Sequence, residues 1–267
     1  GESTAATARS VDFDGSNDYM TIPTHADLAM GTGDLTFEFW FNPDVLGSYK
    51  WIYNGCDGTN ANRIAFFFES SNQIRAYLDN TAYDSKTVLS SGQWYHIAWT
   101  RQGTTSRLFI NGNEERSWTD NVDYAAPANN SYMGGIPSGY HINGKVSNFR
   151  IVKGTALYTS SFRPPTEPLT NVTNTKLLCC NNSSVTGSTV SPTTIANSGS
   201  TASTNSPFDD PEGFKFGEGG DQNLIKCGSF MGTGSDQKVY LGFEPQWFLW
   251  KQSSGSSSWI IFDSMRG

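Results

Sequence analysis

Short runs of alternating apolar and polar residues occur throughout the N-terminal two thirds of the chain. The clearest run is LTFEFWFNP, residues 35–43, whose period of two matches a β-strand with side chains pointing alternately to opposite faces. One face carries only large apolar side chains, and the other carries Thr36, Glu38 and Trp40. The run predicts a strand whose apolar face lies in the core, made of Leu35, Phe37, Phe39 and Phe41.

Turn signals separate these runs at intervals of about ten residues, which is typical of β-sandwiches. VDFDGSNDYMTIP, residues 11–23, predicts a first hairpin, and GQWYHIAWTRQGTTSRLFINGNEE, residues 92–115, predicts two more. In the second stretch the Asn111-Gly112 pair tolerates the positive φ angles of a type I′ turn. HINGKVSNFRIVK, residues 141–153, predicts a further core strand. Because no helical pattern of useful length lies between these runs, we expect an all-β sandwich.

The composition of the chain changes abruptly after Cys180. From Asn181 to Ser206, 18 of 26 residues are Ser, Thr or Asn, and none is charged or aromatic. Such a segment buries too little apolar surface to offset its ordering entropy. The predicted organisation is an N-terminal segment (1–10), a sandwich domain (11–180), a linker (181–207) and a small C-terminal β unit (208–267). The last unit ends directly after a strong strand, so we expect it to be a fragment or to need a partner chain to complete it.

Charge and cysteine content exclude several classes of function. The net charge is −7 and the isoelectric point about 4.9, which disfavours binding to nucleic acid. No apolar run approaches the length of a membrane span, so we expect no membrane insertion. The four cysteines form no CxxC pair, which argues against both structural zinc and a disulfide framework. We expect them to be small buried side chains in a protein assembled in a reducing compartment.

Four motifs in sequence order resemble the laminin-G-like, concanavalin A-like family of jelly-roll sandwiches. They are VDFDGSNDYMTIP, LTFEFWFNP, GQWYHIAWTRQGTTSRLFINGNE and GKVSNFRIVKGTALYTSSFRPPTEPL, and together they span residues 11–180. The ending GTALYTSSFRPPTEPLTNVTNTKLLCCNN resembles the form of this domain found in virion proteins of marine bacteriophages. The residues after Phe208 are similar to a poorly characterised β domain that often follows it there. The resemblance implies two packed antiparallel sheets and binding to glycans or protein surfaces; fold alone does not imply chemistry.

The sequence provides no convincing catalytic group. Glycoside hydrolysis needs two carboxylates at a defined separation, but the strand at residues 35–43 offers only Glu38. Glu114 and Glu115 are adjacent, so we expect them to point to opposite faces. Three histidines and no GxSxG elbow leave nucleophilic catalysis unsupported, and His96 is interpreted as a hydrogen-bonded structural histidine. The chain is predicted not to be an enzyme.

One turn could hold a calcium ion. DFDGSND supplies Asp14, Asn17 and Asp18, whose oxygens are the ligand type that calcium prefers, and members of the family often bind calcium at the sandwich rim. The alternative is that these residues serve only the geometry of the turn. Asn148 stands where many relatives have an acidic residue, which weakens the calcium prediction.

A glycan site would combine exposed aromatic rings with hydrogen-bonding side chains. Each candidate residue also has a competing assignment to the core. The predicted ligand-binding residues are Trp40, Trp51, Tyr53, Asp57, Asn62, Arg63 and Tyr140, with Asn60 and Trp118 as further candidates.

The resemblance and the missing catalytic pair together predict a non-catalytic phage virion protein on the tail or capsid, assembled in the host cytoplasm. Its predicted partners are host surface glycans, other virion proteins and further copies of itself as a homo-oligomer. One alternative is a structural capsid-decorating or tail-assembly protein that acts through protein contacts only. A polysaccharide-degrading enzyme is the third hypothesis.

Overall fold

Two antiparallel sheets packed face to face dominate the computed structural model of the chain. The chain divides into two units, residues 1–209 and residues 210–267. The structure describes residues 10–55, 63–125, 127–208, 234–235, 247–252 and 258–263.

Sheet A contains nine strands, numbered here in chain order: β1 (Ser10–Asp14), β3 (Leu35–Val45), β8 (Tyr95–Gln102), β9 (Thr105–Ile110), β10 (Asn113–Thr119), β12 (Asn143–Lys153), β13 (Thr175–Cys179), β14 (Ser188–Val190) and β16 (Thr201–Ser203). Seven of them follow the order β10-β9-β8-β3-β12-β1-β16, while β13 pairs with both β12 and β14. The long strands β3 and β12 therefore lie at the centre of this sheet.

Sheet B contains seven strands: β2 (Tyr19–Ile22), β4 (Lys50–Gly55), β5 (Ile64–Phe68), β6 (Gln73–Leu78), β7 (Thr81–Val88), β11 (Ser131–Met133) and β15 (Ala196–Ser198). Their order is β15-β2-β11-β4-β5-β6-β7. A single 3-10 turn, Ala26–Leu28, is the helical element of the described residues, and it is far too short to cross a bilayer. The predicted all-β sandwich is confirmed.

Phenylalanine side chains from the central strands form the core between the two sheets. Phe37, Phe39 and Phe41 of β3 are all buried, which confirms the predicted apolar face. The ring of Phe39 lies 5.5 Å from that of Phe66 in sheet B and 5.4 Å from that of Phe149 in β12. The alternating strand pattern thus joins the sheets through ring contacts.

The first predicted hairpin is wrong. Strand β1 pairs with β12 and β16 in sheet A, whereas β2 pairs with β11 and β15 in sheet B. The turn at residues 15–18 therefore carries the chain from one sheet to the other. Alternation predicts both strands correctly, but it does not reveal whether consecutive strands pair or cross between sheets.

The predicted linker at residues 181–207 differs from the structure, in which it supplies three short strands to the sandwich. β14 extends sheet A beyond β13, β15 pairs with β2 at the edge of sheet B, and β16 pairs with β1 at the edge of sheet A. Edge strands are held mainly by backbone hydrogen bonds, so a polar, uncharged segment can form an edge strand. Amino-acid composition indicates only how much apolar surface a segment can bury, so it does not predict pairing through backbone hydrogen bonds.

The predicted hairpins between β8, β9 and β10 are confirmed. Asn111 and Gly112 have φ angles of +50° and +76°, as a type I′ turn requires. A Cβ atom at Gly112 would lie 1.9 Å from the carbonyl oxygen of Phe162. Glycine is therefore needed at this turn for both its conformation and its close backbone contact.

That contact belongs to a strap, residues 155–170, which crosses the outer face of sheet A. The amide of Phe162 donates to the carbonyl of Gly112 at 2.9 Å, and the hydroxyl of Thr100 donates to the carbonyl of Tyr158 at 2.7 Å. The strap covers side chains that a two-layer sandwich would otherwise expose.

A buried ionic cluster lies beneath the strap. One carboxylate oxygen of Glu38 accepts from Nε and Nη2 of Arg150, at 2.9 and 2.6 Å. The other lies 3.2 Å from Nε2 of His96 and accepts from the hydroxyl of Tyr158 at 2.8 Å. Burial raises the pKa of the Glu38 carboxyl, but the hydrogen bond with His96 and the charge of Arg150 outweigh it and lower the pKa overall. Glu38 therefore acts as an ionised anchor between sheet and strap.

We predict that Gly112→Ala destabilises the protein by more than the roughly 1–2 kcal/mol expected for a non-glycine residue in the left-handed region. The additional loss comes from the contact with the carbonyl of Phe162. Gly103→Ala is the matched control, because Gly103 has a φ of +57° and open space around its Cβ position. Urea unfolding compares the two variants. Equal losses would mean that the strap contact contributes nothing.

We predict that Glu38→Gln destabilises the protein by about 3–5 kcal/mol, because it leaves the charge of Arg150 buried without its partner. Since the pKa of Glu38 is lowered on folding, its contribution is complete above the unfolded pKa of about 4.3 and is lost as the pH falls through the folded value. The melting temperatures of wild type and variant should therefore differ at neutral pH and converge at acidic pH. Glu114→Gln, at an exposed position, is the control; a loss there of similar size would contradict the prediction.

Candidate functional site

Five aromatic residues form a second cluster on the outer face of sheet B, away from the sandwich core. This outer aromatic cluster consists of Tyr49, Trp51, Phe67, Tyr77 and Tyr140. Its existence follows from the alternation of β5 and β6, where every second side chain points away from sheet A. The cluster presents aromatic surface on a face that no strap covers among the described residues.

The rings of the outer aromatic cluster contact one another in sequence. Trp51 and Phe67 are buried at its centre, with ring centroids 4.5 Å apart. Tyr49 stands nearly perpendicular to Trp51, Phe67 and Tyr140, at 5.3, 4.9 and 5.0 Å. Burial raises the pKa of Tyr49 to about 12, so its hydroxyl remains protonated at neutral pH. The half-buried Tyr49 thus connects the buried rings to the exposed ring of Tyr140.

Two arginines lie over these rings. The guanidinium of Arg63 is 5.5 Å from the ring centroid of Trp51 and 6.0 Å from that of Tyr77. Arg75 lies 5.6 Å from the ring of Phe67 and forms ion pairs with Asp84 and Glu69. The hydrogen bond with Arg75 lowers the pKa of Asp84. Both arginines thus contact rings of the cluster, and Arg75 also forms ion pairs.

Tyr140 is the displayed member of the cluster. Its side chain is 46% exposed, and its backbone lies in the left-handed region with a φ of +60°. This conformation is unusual for a bulky residue and costs roughly 1–2 kcal/mol. The amide of Trp51 donates to the carbonyl of Tyr140 at 3.0 Å and holds the loop against β4. The fold thus accepts local strain and keeps an aromatic ring at the surface, a combination often found at functional sites.

The structure places three of the predicted ligand-binding residues, Trp51, Arg63 and Tyr140, in one cluster. Trp51 is only 5% exposed, so its predicted exposure is corrected: it supports the cluster from within. The structure adds Tyr49, Phe67 and Tyr77, which the sequence reasoning missed. A signal for Tyr77 was present, since QIRAYL places Ile74, Ala76 and Leu78 on the core face and leaves Arg75 and Tyr77 outside.

Other predicted ligand-binding residues lie elsewhere. Tyr53 is a correction, because it is 3% exposed in the sandwich core and lies 5.0 Å from Phe149, and burial raises its pKa to about 12. Trp40 is also a correction, since it is buried against His96 and Phe208. Trp118 stacks on Tyr83 at 3.9 Å. Three further candidates lie outside the described residues: Asp57, Asn60 and Asn62.

The residues of the predicted calcium turn make hydrogen bonds within the turn. Asp18 is buried and accepts from the amide of Asp14 at 3.0 Å, while Asp14 accepts from the amide of Ser16 at 2.8 Å. Asn17 is exposed. In the part of the chain that the structure describes, no group of three or more His, Cys, Asp or Glu residues could hold a metal ion. A calcium ion at this turn therefore stays a prediction.

Other polar residues that the sequence singled out also serve the fold. His96 is fully buried beside Glu38, in agreement with a structural role. Asn148 accepts from the amide of Leu169 at 2.9 Å and so fixes one end of the strap. Glu115, at a bulge in β10, accepts from the amides of Lys86 and Thr87 in β7, whereas Glu114 is exposed.

Two of the four cysteines lie within the described residues, and both are free thiols buried in the core. Cys179 and Cys180 have sulfur atoms 3.9 Å apart. The neighbouring Cys179 and burial raise the pKa of the Cys180 thiol, so it remains protonated. Their role as small buried side chains is as predicted, while Cys56 and Cys227 lie outside the described residues.

Solved structures are similar to this chain at low sequence identity. A putative carbohydrate binding protein from Bacteroides ovatus superposes with a TM-score of 0.54 and 15% identity over 74% of this chain, which spans 60% of that protein's length. A heptameric SAP-like pentraxin from Limulus polyphemus gives 0.42 and 15%, covering 58% of this chain and 79% of the pentraxin. Domains LG4-5 of the mouse laminin alpha1 chain give 0.42 and 12%, covering 58% and 45%.

Family comparisons divide the chain into two overlapping matches. No curated protein sequence matches the chain. Residues 144–267 match a domain of unknown function, DUF7483. Residues 14–157, more than half of the chain, match the family described as the concanavalin A-like lectin/glucanases superfamily. Together with the two-sheet fold, this match shows that the chain belongs to the concanavalin A-like lectin/glucanase superfamily.

Proposed function

We propose that this protein is a non-catalytic glycan-binding protein that uses the outer aromatic cluster of sheet B. The observation that carries the proposal is Tyr140, an exposed ring held by a strained backbone at the edge of that cluster. Aromatic rings bind the apolar faces of sugars, and nearby polar groups bind the hydroxyls. Tyr140 supplies the ring, while Arg63 and the hydroxyl groups of Tyr49 and Tyr77 supply polar contacts.

The preformed cluster lowers the cost of binding. Tyr140 is restrained by the ring of Tyr49 and by the hydrogen bond from the amide of Trp51. A ring that is already ordered loses little side-chain entropy when a ligand binds. The Bacteroides ovatus protein that shares this fold is itself described as a putative carbohydrate binding protein, which agrees with the proposed function.

The environment of the carboxylates supports a non-catalytic role. Glycoside hydrolysis requires two carboxyl groups that both reach the substrate. Glu38 is buried beneath the strap and is ionised against Arg150, while Glu115 is used by backbone amides of β7. Neither is placed at the outer aromatic cluster, where Glu69 and Asp84 are paired with Arg75.

The biological setting is proposed from the sequence motifs. GTALYTSSFRPPTEPL resembles virion proteins of marine phages, so the glycan is a component of the host surface and the protein is part of the tail or capsid exterior. Within the virion the protein is a homo-oligomer that contacts other virion proteins. A purely structural capsid or tail protein remains the competing hypothesis.

We predict that Tyr140→Ala weakens glycan binding about five- to ten-fold, because a ring contact worth roughly 1–1.5 kcal/mol is lost. A glycan array followed by calorimetry on the best ligand measures the effect. Val88→Ala is the matched control, since Val88 is 57% exposed on β7 of the same sheet. The melting temperature of Tyr140→Ala should stay within a few degrees of wild type, because little of the core changes.

Three results would contradict this proposal. Wild-type protein that binds no glycan or host lipopolysaccharide would favour the purely structural role. Equal binding by Tyr140→Ala and wild type would place the site elsewhere. Release of sugars from a bound polysaccharide would show that the protein is an enzyme.

We predict that a chelator leaves the melting temperature unchanged, because Asp14 and Asp18 already accept hydrogen bonds from backbone amides. A bound ion that stabilises the native state would instead raise the melting temperature as calcium is added. Differential scanning fluorimetry in excess EDTA and in millimolar calcium makes the comparison. A calcium-dependent increase that Asp18→Asn abolishes would establish the calcium site.

A further inference from the structure

The C-terminal unit contains a two-stranded antiparallel sheet with an unusual surface. Strand β17 (Trp247–Trp250) pairs with β18 (Ile260–Asp263), and we call the pair, with Trp259, the C-terminal hairpin. All four residues of β17 and the first three of β18 are large and apolar. A two-stranded sheet on its own is marginally stable in water.

Both faces of the C-terminal hairpin are apolar and exposed. Leu249 lies opposite Ile261 on one face, and Phe248 lies opposite Phe262 on the other. The exposed fractions are 51% for Trp247, 41% for Leu249, 64% for Trp259, 38% for Ile260, 64% for Ile261 and 58% for Phe262. An ordinary edge hairpin would alternate apolar and polar residues, so this one is suited to being covered on both sides.

The apolar surface of this hairpin is comparable in size with the largest apolar patch of a typical monomer. Because an aromatic side chain covers roughly 150–250 Å², six side chains about half exposed leave roughly 500 Å² of apolar surface. The largest apolar patch of a typical monomer is only about 300–600 Å² in total, and it is often functional. These side chains are divided between the two faces of the hairpin, so only an assembly that covers both faces of each copy buries roughly 1,000 Å² for every two copies, which reaches the lower limit for a specific interface.

The chemistry of the hairpin favours a second copy of the same chain as the occupant. Residues 247–250 and 259–262 of the hairpin carry no charged side chain, and Lys251, which follows β17, lies 5.7 Å from the ring of Trp259. The hairpin therefore offers few charged groups for electrostatic recognition of a transient partner. Homodimer interfaces are more apolar than transient ones, and a two-fold contact covers the same patch on both subunits at once.

We propose that the C-terminal hairpin is the homotypic assembly surface of this protein, and that the apolar faces of hairpins from different copies pack on one another. This inference assigns a surface to oligomerisation and does not depend on glycan binding. Assembly would also present several copies of Tyr140 together, which raises the avidity for a repetitive glycan surface without any new contact.

The test uses the full chain and compares wild type with the double variant Ile261→Lys/Phe262→Lys, which places one lysine on each face of the hairpin. Analytical ultracentrifugation at low micromolar concentration should show a defined oligomer for wild type. The double variant should dissociate at least ten-fold more readily. Val88→Lys is the control, because Val88 is similarly exposed in the first unit.

A second measurement applies even where the double variant fails to fold. Amide hydrogen exchange of residues 247–250 and 260–263 in the wild-type chain should slow as protein concentration rises. A wild-type chain that is monomeric, an oligomer that the double variant leaves intact, or exchange that does not depend on concentration would each overturn the proposal. Aggregates without a defined stoichiometry would overturn it as well.

Discussion

Burial of strand β3 on both of its faces is the constraint on which the rest of the structure depends. On the inner face, Phe37, Phe39 and Phe41 join the two sheets through ring contacts. On the outer face, Glu38 is a buried charge, which is costly unless it is paired and hydrogen-bonded. Arg150 supplies the opposite charge, and the strap supplies a hydroxyl donor and excludes water. Sheet A thus has no open face at its centre.

The closure of sheet A determines where this protein can present a binding surface. The outer face of sheet B remains, and its alternating strands place a cluster of rings there beside the ion pairs of Arg75 with Glu69 and Asp84. Trp51 and Phe67 support the cluster from within, and Tyr49 orients Tyr140 at its edge. A rigid scaffold that displays one strained aromatic residue would preorganise the sugar contact that we propose for Tyr140.

Much of the fold could be predicted from the sequence, but only part of the candidate site could. Tyr140 was identified because it lies in a glycine-rich loop, where an aromatic ring has few places to be buried. Tyr53 was misplaced because β4 contains a bulge after Trp51, which changes the face that each later side chain meets. The sequence around Glu38 does not predict its partners, since Arg150 lies 112 residues away in the chain. The edge strands at residues 181–207 carry only a weak apolar signal, since Val190 is their one large apolar residue.

By itself, the sequence determined the strands, the apolar face of β3 and the type I′ turn at Asn111-Gly112, because these depend on local periodicity and on backbone preferences of single residues. Only the tertiary structure decided which consecutive strands pair, which aromatic rings are exposed and which polar groups form hydrogen bonds or ion pairs within the fold. These outcomes depend on contacts between residues far apart in the chain, and a strand pattern has the same period whether its outer face meets water, a strap or a ligand.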